Sequence, residues 1–157
     1  MARTRRIRWL VLGALVLAAL LVAALLLACD RFVPGARLWD ATCAVESAGN
    51  PWAYCPQTGA SGIVQIRRTC LDDVNRIAHE RRLGVQFTDA DRYHPARARR
   101  IWQLYLEYYG WMYWKETGRL PTPEVYARIW YGGPDGWRRS STVEYWRRVQ
   151  KAMDGTS

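Results

Sequence analysis

Phenylalanine is nearly missing from this chain. Its 157 residues include two Phe against nine Trp and nine Tyr. A core built on plain rings is therefore excluded. Indole and phenol rings carry a polar handle and favour places where an apolar wall meets water or a polar ligand. Other absences narrow the field further. No segment alternates apolar and polar residues convincingly enough for a strand, and no repeat or low-complexity stretch interrupts the chain. No CxxC-type pair is present, which argues against zinc. His79 and His94 have no metal or triad partners at recognisable spacing, so they read as surface or packing residues. No basic run with interleaved aromatics marks a nucleic-acid site. No cofactor motif stands out.

Acidic residues are also scarce. The formal charge is +9, and no acid precedes the arginines Arg3, Arg5, Arg6 and Arg8. Beyond those four, 19 basic and 14 acidic residues remain, a balance of +5. Such a surface suits an anionic polymer, such as a bacterial envelope glycan or a nucleic acid.

Residues 9–28, WLVLGALVLAALLVAALLLA, form a run of 20 apolar residues without charge. As a helix this run is long enough to span a hydrocarbon core of about 30 Å. The arginines before it should stay cytoplasmic, which places the rest of the chain outside the cytoplasm. The run ends in Leu26-Leu27-Ala28-Cys29, which resembles a bacterial lipoprotein lipobox. An uncleaved anchor, a lipoprotein and a cleaved signal would all export the C-terminal domain. The expected organisation is a basic segment over 1–8, a transmembrane anchor or signal over 9–28, a tether over 29–37 and one domain over 38–153. In an exported domain disulfides are permitted. Cys43, Cys55 and Cys70 are candidates for a bridge that pins the loop beside Glu46, and the pairing stays open.

The domain reads as all-α, with at most a minimal β element. Leu38, Trp39, Ala41, Thr42 and Val45 keep helical spacing, and Gly49-Asn50-Pro51 ends that helix. A second helix is expected from Thr69 to about Leu83, with Thr69 and Asp72 in a capping-box-like start. Residues 84–93 form a polar loop. Pro95 opens a long aromatic helix to about Glu116, on which Ile101, Leu104, Tyr105, Tyr108 and Met112 keep spacing. Thr122-Pro123 starts another helix that stops at Gly132-Gly133-Pro134. Ser141 and Glu144 make a capping box for the last one, through about Met153.

Glu46 lies near the end of the first helix, where Trp52, Tyr54, Ile63, Val64 and Trp130 are candidates to wall it in. A carboxyl in such surroundings loses hydration, which favours its neutral form. A neutral carboxylic acid near pH 7 can protonate a glycosidic oxygen.

Three elements in order carry a resemblance. Glu46-Ser47 is followed by Asn50-Pro51, then by Gly59-Ala60-Ser61-Gly62-Ile63-Val64-Gln65, then by Ile129-Trp130-Tyr131-Gly132-Gly133-Pro134. Over about residues 38–150 this resembles the lytic transglycosylases of the soluble-lytic-transglycosylase type, which have a lysozyme-like fold. The resemblance implies a peptidoglycan lyase with Glu46 as its single catalytic acid and base. Glu46 would protonate the oxygen between N-acetylmuramic acid and N-acetylglucosamine. It would then deprotonate the muramoyl 6-hydroxyl, which closes a 1,6-anhydro ring. Ser47, Gly62, Gln65, Trp130, Tyr131 and Gly132 would bind substrate. Tyr131 stands where the family has Asn, a departure that bears on sugar contacts. Asp72 and Asp73 are the nearest candidates for a second carboxylate, which would allow a lysozyme-type hydrolysis. The implied setting is the bacterial envelope. The N-terminal helix would sit in the inner membrane, the domain would act on glycan strands, and a cell-envelope machine would be a possible partner. A phage signal-anchor endolysin and a non-catalytic glycan-binding module are the competing expectations.

Overall fold

The computed structural model describes residues 34–155. The basic segment, the apolar run, most of the tether and Cys29 lie outside the described residues. Among the described residues no helix is long and apolar enough to cross a membrane.

Five helices and one short hairpin make up the domain. The first helix, α1 (Ala36–Ser47), buries Leu38, Trp39, Ala41, Thr42 and Cys43. It stops where Ala48 turns left-handed, with φ 52°. The Ala48 and Gly49 amides then donate to the Ala44 and Cys43 carbonyls, both at 3.1 Å, which satisfies the helix end. Asn50 Oδ1 accepts from the Trp52 amide at 2.9 Å and tightens the next turn.

The minimal β element is present. Strands β1 (Tyr54–Cys55) and β2 (Ala60–Ser61) pair antiparallel, Tyr54 with Ser61 and Cys55 with Ala60. An isolated bridge then joins Ser61 to Ile66. Gly62 sits at φ 80°, and a Cβ there would collide with the backbone carbonyl of Arg92. Only glycine fits both demands. Gln65 is also left-handed, and its side-chain amide donates to the carbonyls of Gly62 at 3.0 Å and Ala53 at 3.3 Å. Arg92 reaches in from outside the loop. Its guanidinium donates to the carbonyls of Gly59 and Ile66, each at 3.0 Å. The stretch from Gly59 to Ile66, which contains β2, is thus fastened at both ends by one side chain.

Helix α2 (Arg68–Glu80) buries Leu71, Val74, Ile77 and Ala78. It starts one residue earlier than expected and ends earlier too, because Arg82 is left-handed and the Leu83 amide turns back to the Ala78 carbonyl at 2.9 Å. Thr69 makes no cap; Arg67 occupies the N-cap position, and Asp72 pairs instead with Arg68 at 3.0 Å. The polar loop contains a 3-10 turn, Asp89–Arg92, with a true capping box between Thr88 and Asp91. Asn75 pins this loop by exchanging two hydrogen bonds with the Phe87 backbone, at 2.9 and 2.7 Å.

Helix α3 (Pro95–Thr117) runs through the middle of the domain and buries Ile101, Trp102, Leu104, Tyr105 and Leu106. Met112, expected on the same face, is exposed. Helix α4 (Pro123–Gly132) is capped by Thr122, whose hydroxyl accepts from the Val125 amide. Two 3-10 turns, Gly136–Arg138 and Ser140–Thr142, lead to α5 (Val143–Asp154). The Ser141–Glu144 box does not form. Thr142 holds the N-cap position without a side-chain cap, and Glu144 pairs with Arg147 at 3.2 Å. Helices α1, α4 and α5 pack together, and α2 packs on α3, around one core. Each large apolar side chain buried there contributes about 1.5–3 kcal/mol.

Candidate active site

The end of α1 projects Glu46 into a cleft of about 720 Å³. Glu46 sits one position before the helix terminus, so its side chain leaves the helix just as the backbone turns into the hairpin. Among the residues expected at the site, Gln65, Trp130, Tyr131 and Gly132 line the same cleft, although the chain separates Gln65 from the other three by 65 residues and more. Asp73, Cys55 and Cys70 line it as well. Ser47, Gly62, Asp72 and Cys43 are not among its lining residues. Ser47 faces inward and donates to the Ile63 carbonyl at 2.7 Å, tying helix to loop. Asp72 lies on the exposed side of α2 with Arg68.

Trp130 forms part of the wall and donates from its indole to the Val64 carbonyl at 3.2 Å. Trp52 and Tyr54 do not wall Glu46. They are 74% and 58% exposed, and Trp52 stacks on Tyr93 instead. The expected bridge is not formed either: Cys43, Cys55 and Cys70 are free thiols. They sit on three different elements, Cys43 on α1, Cys55 in β1 and Cys70 on α2.

The electrostatics of Glu46 come from its surroundings. Burial raises its pKa above the ordinary value of 4.5. A hydrogen bond from Tyr145 and the charges of Arg148 and Arg67 pull the other way. The Tyr145 hydroxyl donates to Glu46 Oε1 at 2.7 Å. That tyrosine is itself held rigidly. Its ring stacks on Tyr131 at 4.4 Å between centroids, with Arg148 at 5.5 Å over the ring. Burial, and the neighbouring Glu46 charge after it, push the Tyr145 phenol well up, so it stays a donor. The residue that stands where an amide was expected therefore buttresses the partner of Glu46.

Asp73 differs in kind. It accepts from the Tyr109 hydroxyl at 2.5 Å and pairs with Arg76 at 2.6 Å. Its charge is already met. The arrangement offers one buried acid that can give and retake a proton, and one carboxylate whose charge has partners. Among the described residues no cluster of His, Cys, Asp or Glu is suited to a metal ion.

The fold has a solved counterpart. It is similar to a chain of the crystal structure of Aeromonas hydrophila PliI in complex with Meretrix lusoria lysozyme. The TM-score is 0.61 and the identity 25%, over 74% of this chain and 88% of that one. No protein-family model matches the chain. No curated protein matches it either.

Tyr145 escaped the sequence reading. It stands four positions before Val149 on α5, the spacing of an ordinary core face, and both are indeed buried. Nothing local distinguishes a tyrosine that fills a core from one that holds a distant carboxylate. Arg67, Arg139 and Tyr109 were missed for the same reason, since only the folded chain gathers them at one cleft.

Proposed function

We propose that this domain cleaves the β-1,4 bond between N-acetylmuramic acid and N-acetylglucosamine in peptidoglycan, with Glu46 as both acid and base. The single observation that carries this reading is Glu46 at the wall of an open cleft, hydrogen-bonded to Tyr145 and with its pKa raised by burial. The protonated carboxyl gives its proton to the glycosidic oxygen as that bond breaks. The resulting carboxylate takes the proton of the muramoyl 6-hydroxyl, whose oxygen bonds to the anomeric carbon. No water is consumed, and the product ends in a 1,6-anhydro ring. Tyr145 aligns the carboxyl throughout, and Trp130 and Tyr131 offer aromatic surface to sugar rings. In this reading the apolar run 9–28 holds the domain at the outer side of the cytoplasmic membrane of a bacterium.

A second reading rests on Asp73, which lines the same cleft. With Asp73 as the second carboxylate, water would attack and the products would keep ordinary reducing ends. Its bonds to Tyr109 and Arg76 weigh against that role. Digestion of purified peptidoglycan with mass spectrometry of the soluble products separates the two. Muropeptides lighter by one water, absent with Glu46→Gln, support the lyase. Hydrated ends lost with Asp73→Asn support the hydrolase. Sedimentation with the wall without any product overturns both in favour of a binding module.

A further inference from the structure

Several arginines of this domain have ion-pair partners. Arg68 pairs with Asp72 and Asp89, Arg76 with Asp73 and Glu80, and Arg128 with Glu124. Arg138 pairs with Glu116. Two neighbours of these residues are unpaired. Arg67 adjoins Arg68, and Arg139 adjoins Arg138, yet neither guanidinium has an ion-pair partner among the described residues. Both are exposed, and both line the Glu46 cleft.

They reach the cleft from different parts of the chain. Arg67 is the N-cap residue of α2, directly after the hairpin segment. Arg139 joins the two 3-10 turns before α5, and its backbone carbonyl is fixed by Arg128 at 3.2 Å and Thr142 at 2.8 Å. The backbone at Arg139 is thus anchored while its side chain is left free. The acids of the cleft do not cancel this charge. Asp73 is bound to Arg76 and Tyr109. Glu46 is hydrogen-bonded to Tyr145 and holds its proton more tightly than an ordinary carboxyl. The cleft therefore presents two fork-shaped donors and no free anion to meet them. Guanidinium groups bind carboxylates through paired, charge-assisted hydrogen bonds.

Building on the glycan reading above, we infer that Arg67 and Arg139 select glycan strands bearing carboxylate substituents over neutral chito-oligosaccharides. Two sources offer that chemistry in peptidoglycan: the bare lactyl ether of a muramic residue, and the carboxylates of its stem peptide.

The test uses the full chain in detergent micelles with Glu46→Gln, so that ligands survive. Binding is measured calorimetrically to three probes: peptide-bearing strands, amidase-treated strands with bare lactyl groups, and the neutral chitin hexamer. At least one anionic probe is expected to bind about tenfold more tightly than the hexamer, the scale of one charge-assisted hydrogen bond. Arg67→Gln and Arg139→Gln should each remove several-fold of that preference while leaving the hexamer unchanged, and added salt should narrow it. Preference for the amidase-treated strand alone assigns the lactyl carboxylate, preference for the peptide-bearing strand alone assigns the stem, and preference for both shows that either carboxylate serves. Equal binding of all three probes overturns the arginine role and leaves the glycan cleft standing. Binding of none overturns the glycan reading with it. Arginine variants that weaken hexamer and anionic strands alike also overturn the proposal, since they would mark a general structural effect.

Discussion

At the scale of single residues, Glu46 and Tyr145 form the pair on which the site turns. A donor to the ionised carboxyl favours ionisation, so Tyr145 works against the burial of Glu46. Tyr145→Phe is expected to raise the Glu46 pKa further. It should also cost about 1–3 kcal/mol, because a buried carboxyl oxygen loses its partner. Carbon-13 NMR titration of the Glu46 carboxyl reads the shift directly, and a downward shift would refute this account. The thiols divide just as sharply. Hydrogen bonds from the Thr58 side chain and backbone lower the Cys55 pKa, and that thiol is open to solvent. Burial pushes Cys43 up to about 12 and raises Cys70 as well. Thiolate is the reactive form. Alkylation of the folded chain, mapped by mass spectrometry, should therefore label Cys55 ahead of Cys43 and Cys70. The latter two should react freely only in denaturant. Glu46 and Trp130 were legible in the sequence because they sit in recognisable runs. Tyr145 was not, because a helical spacing reports which side chains are buried and never what they touch.

At the scale of elements, the helices were the legible part, since apolar spacing and the signals at Thr122-Pro123 and Pro95 act locally. The capping boxes were read less well, and the reason is physical. The bridge from Ser61 to Ile66 closes a turn and holds the chain in strand pairing at Ile66, so the half-in position falls on Arg67 and Thr69 lands inside the first turn. A box needs its hydroxyl at the boundary, and tertiary pairing chose the boundary here. The hairpin depends on glycine at one point above all. Gly62→Ala would force a side chain into a left-handed position, at about 1–2 kcal/mol, and against the Arg92 carbonyl besides. The expected result is a Tm lower by several degrees, measured calorimetrically, together with a disordered hairpin. Gly49→Ala has the same backbone conformation but meets open space, so it should lower the Tm less. Equal losses at the two positions would argue that the contact with Arg92 contributes nothing.

At the scale of the whole molecule, the buried acid taxes stability in a way that depends on pH. Below its ordinary value of 4.5 the Glu46 carboxyl is protonated in folded and unfolded chains alike, so its burial costs nothing extra from charge. As pH rises above 4.5, the unfolded chain ionises first, and folding loses free energy until the raised folded pKa is passed. Glu46→Gln, which keeps an acceptor for Tyr145, should melt above the parent protein at neutral pH. The gap should close as the pH falls below 4.5, as scanning calorimetry across the acid range can record. A gap that stays constant with pH would show that the carboxyl is not held in its neutral form. What the sequence conveyed least at this scale was which distant groups meet. Arg92 is the clearest case. It lies in a polar connection that looks free to vary, yet it grips the loop at Gly59 and again at Ile66, and its own carbonyl covers Gly62. Substitutions at the exposed positions Gln86 and Ala90 should pass with little effect, whereas inserting or deleting a single residue along 84–94 would lift the clasp from the loop. Drift among sequences that share this loop would then show as freedom of letter at such positions and fixity of length.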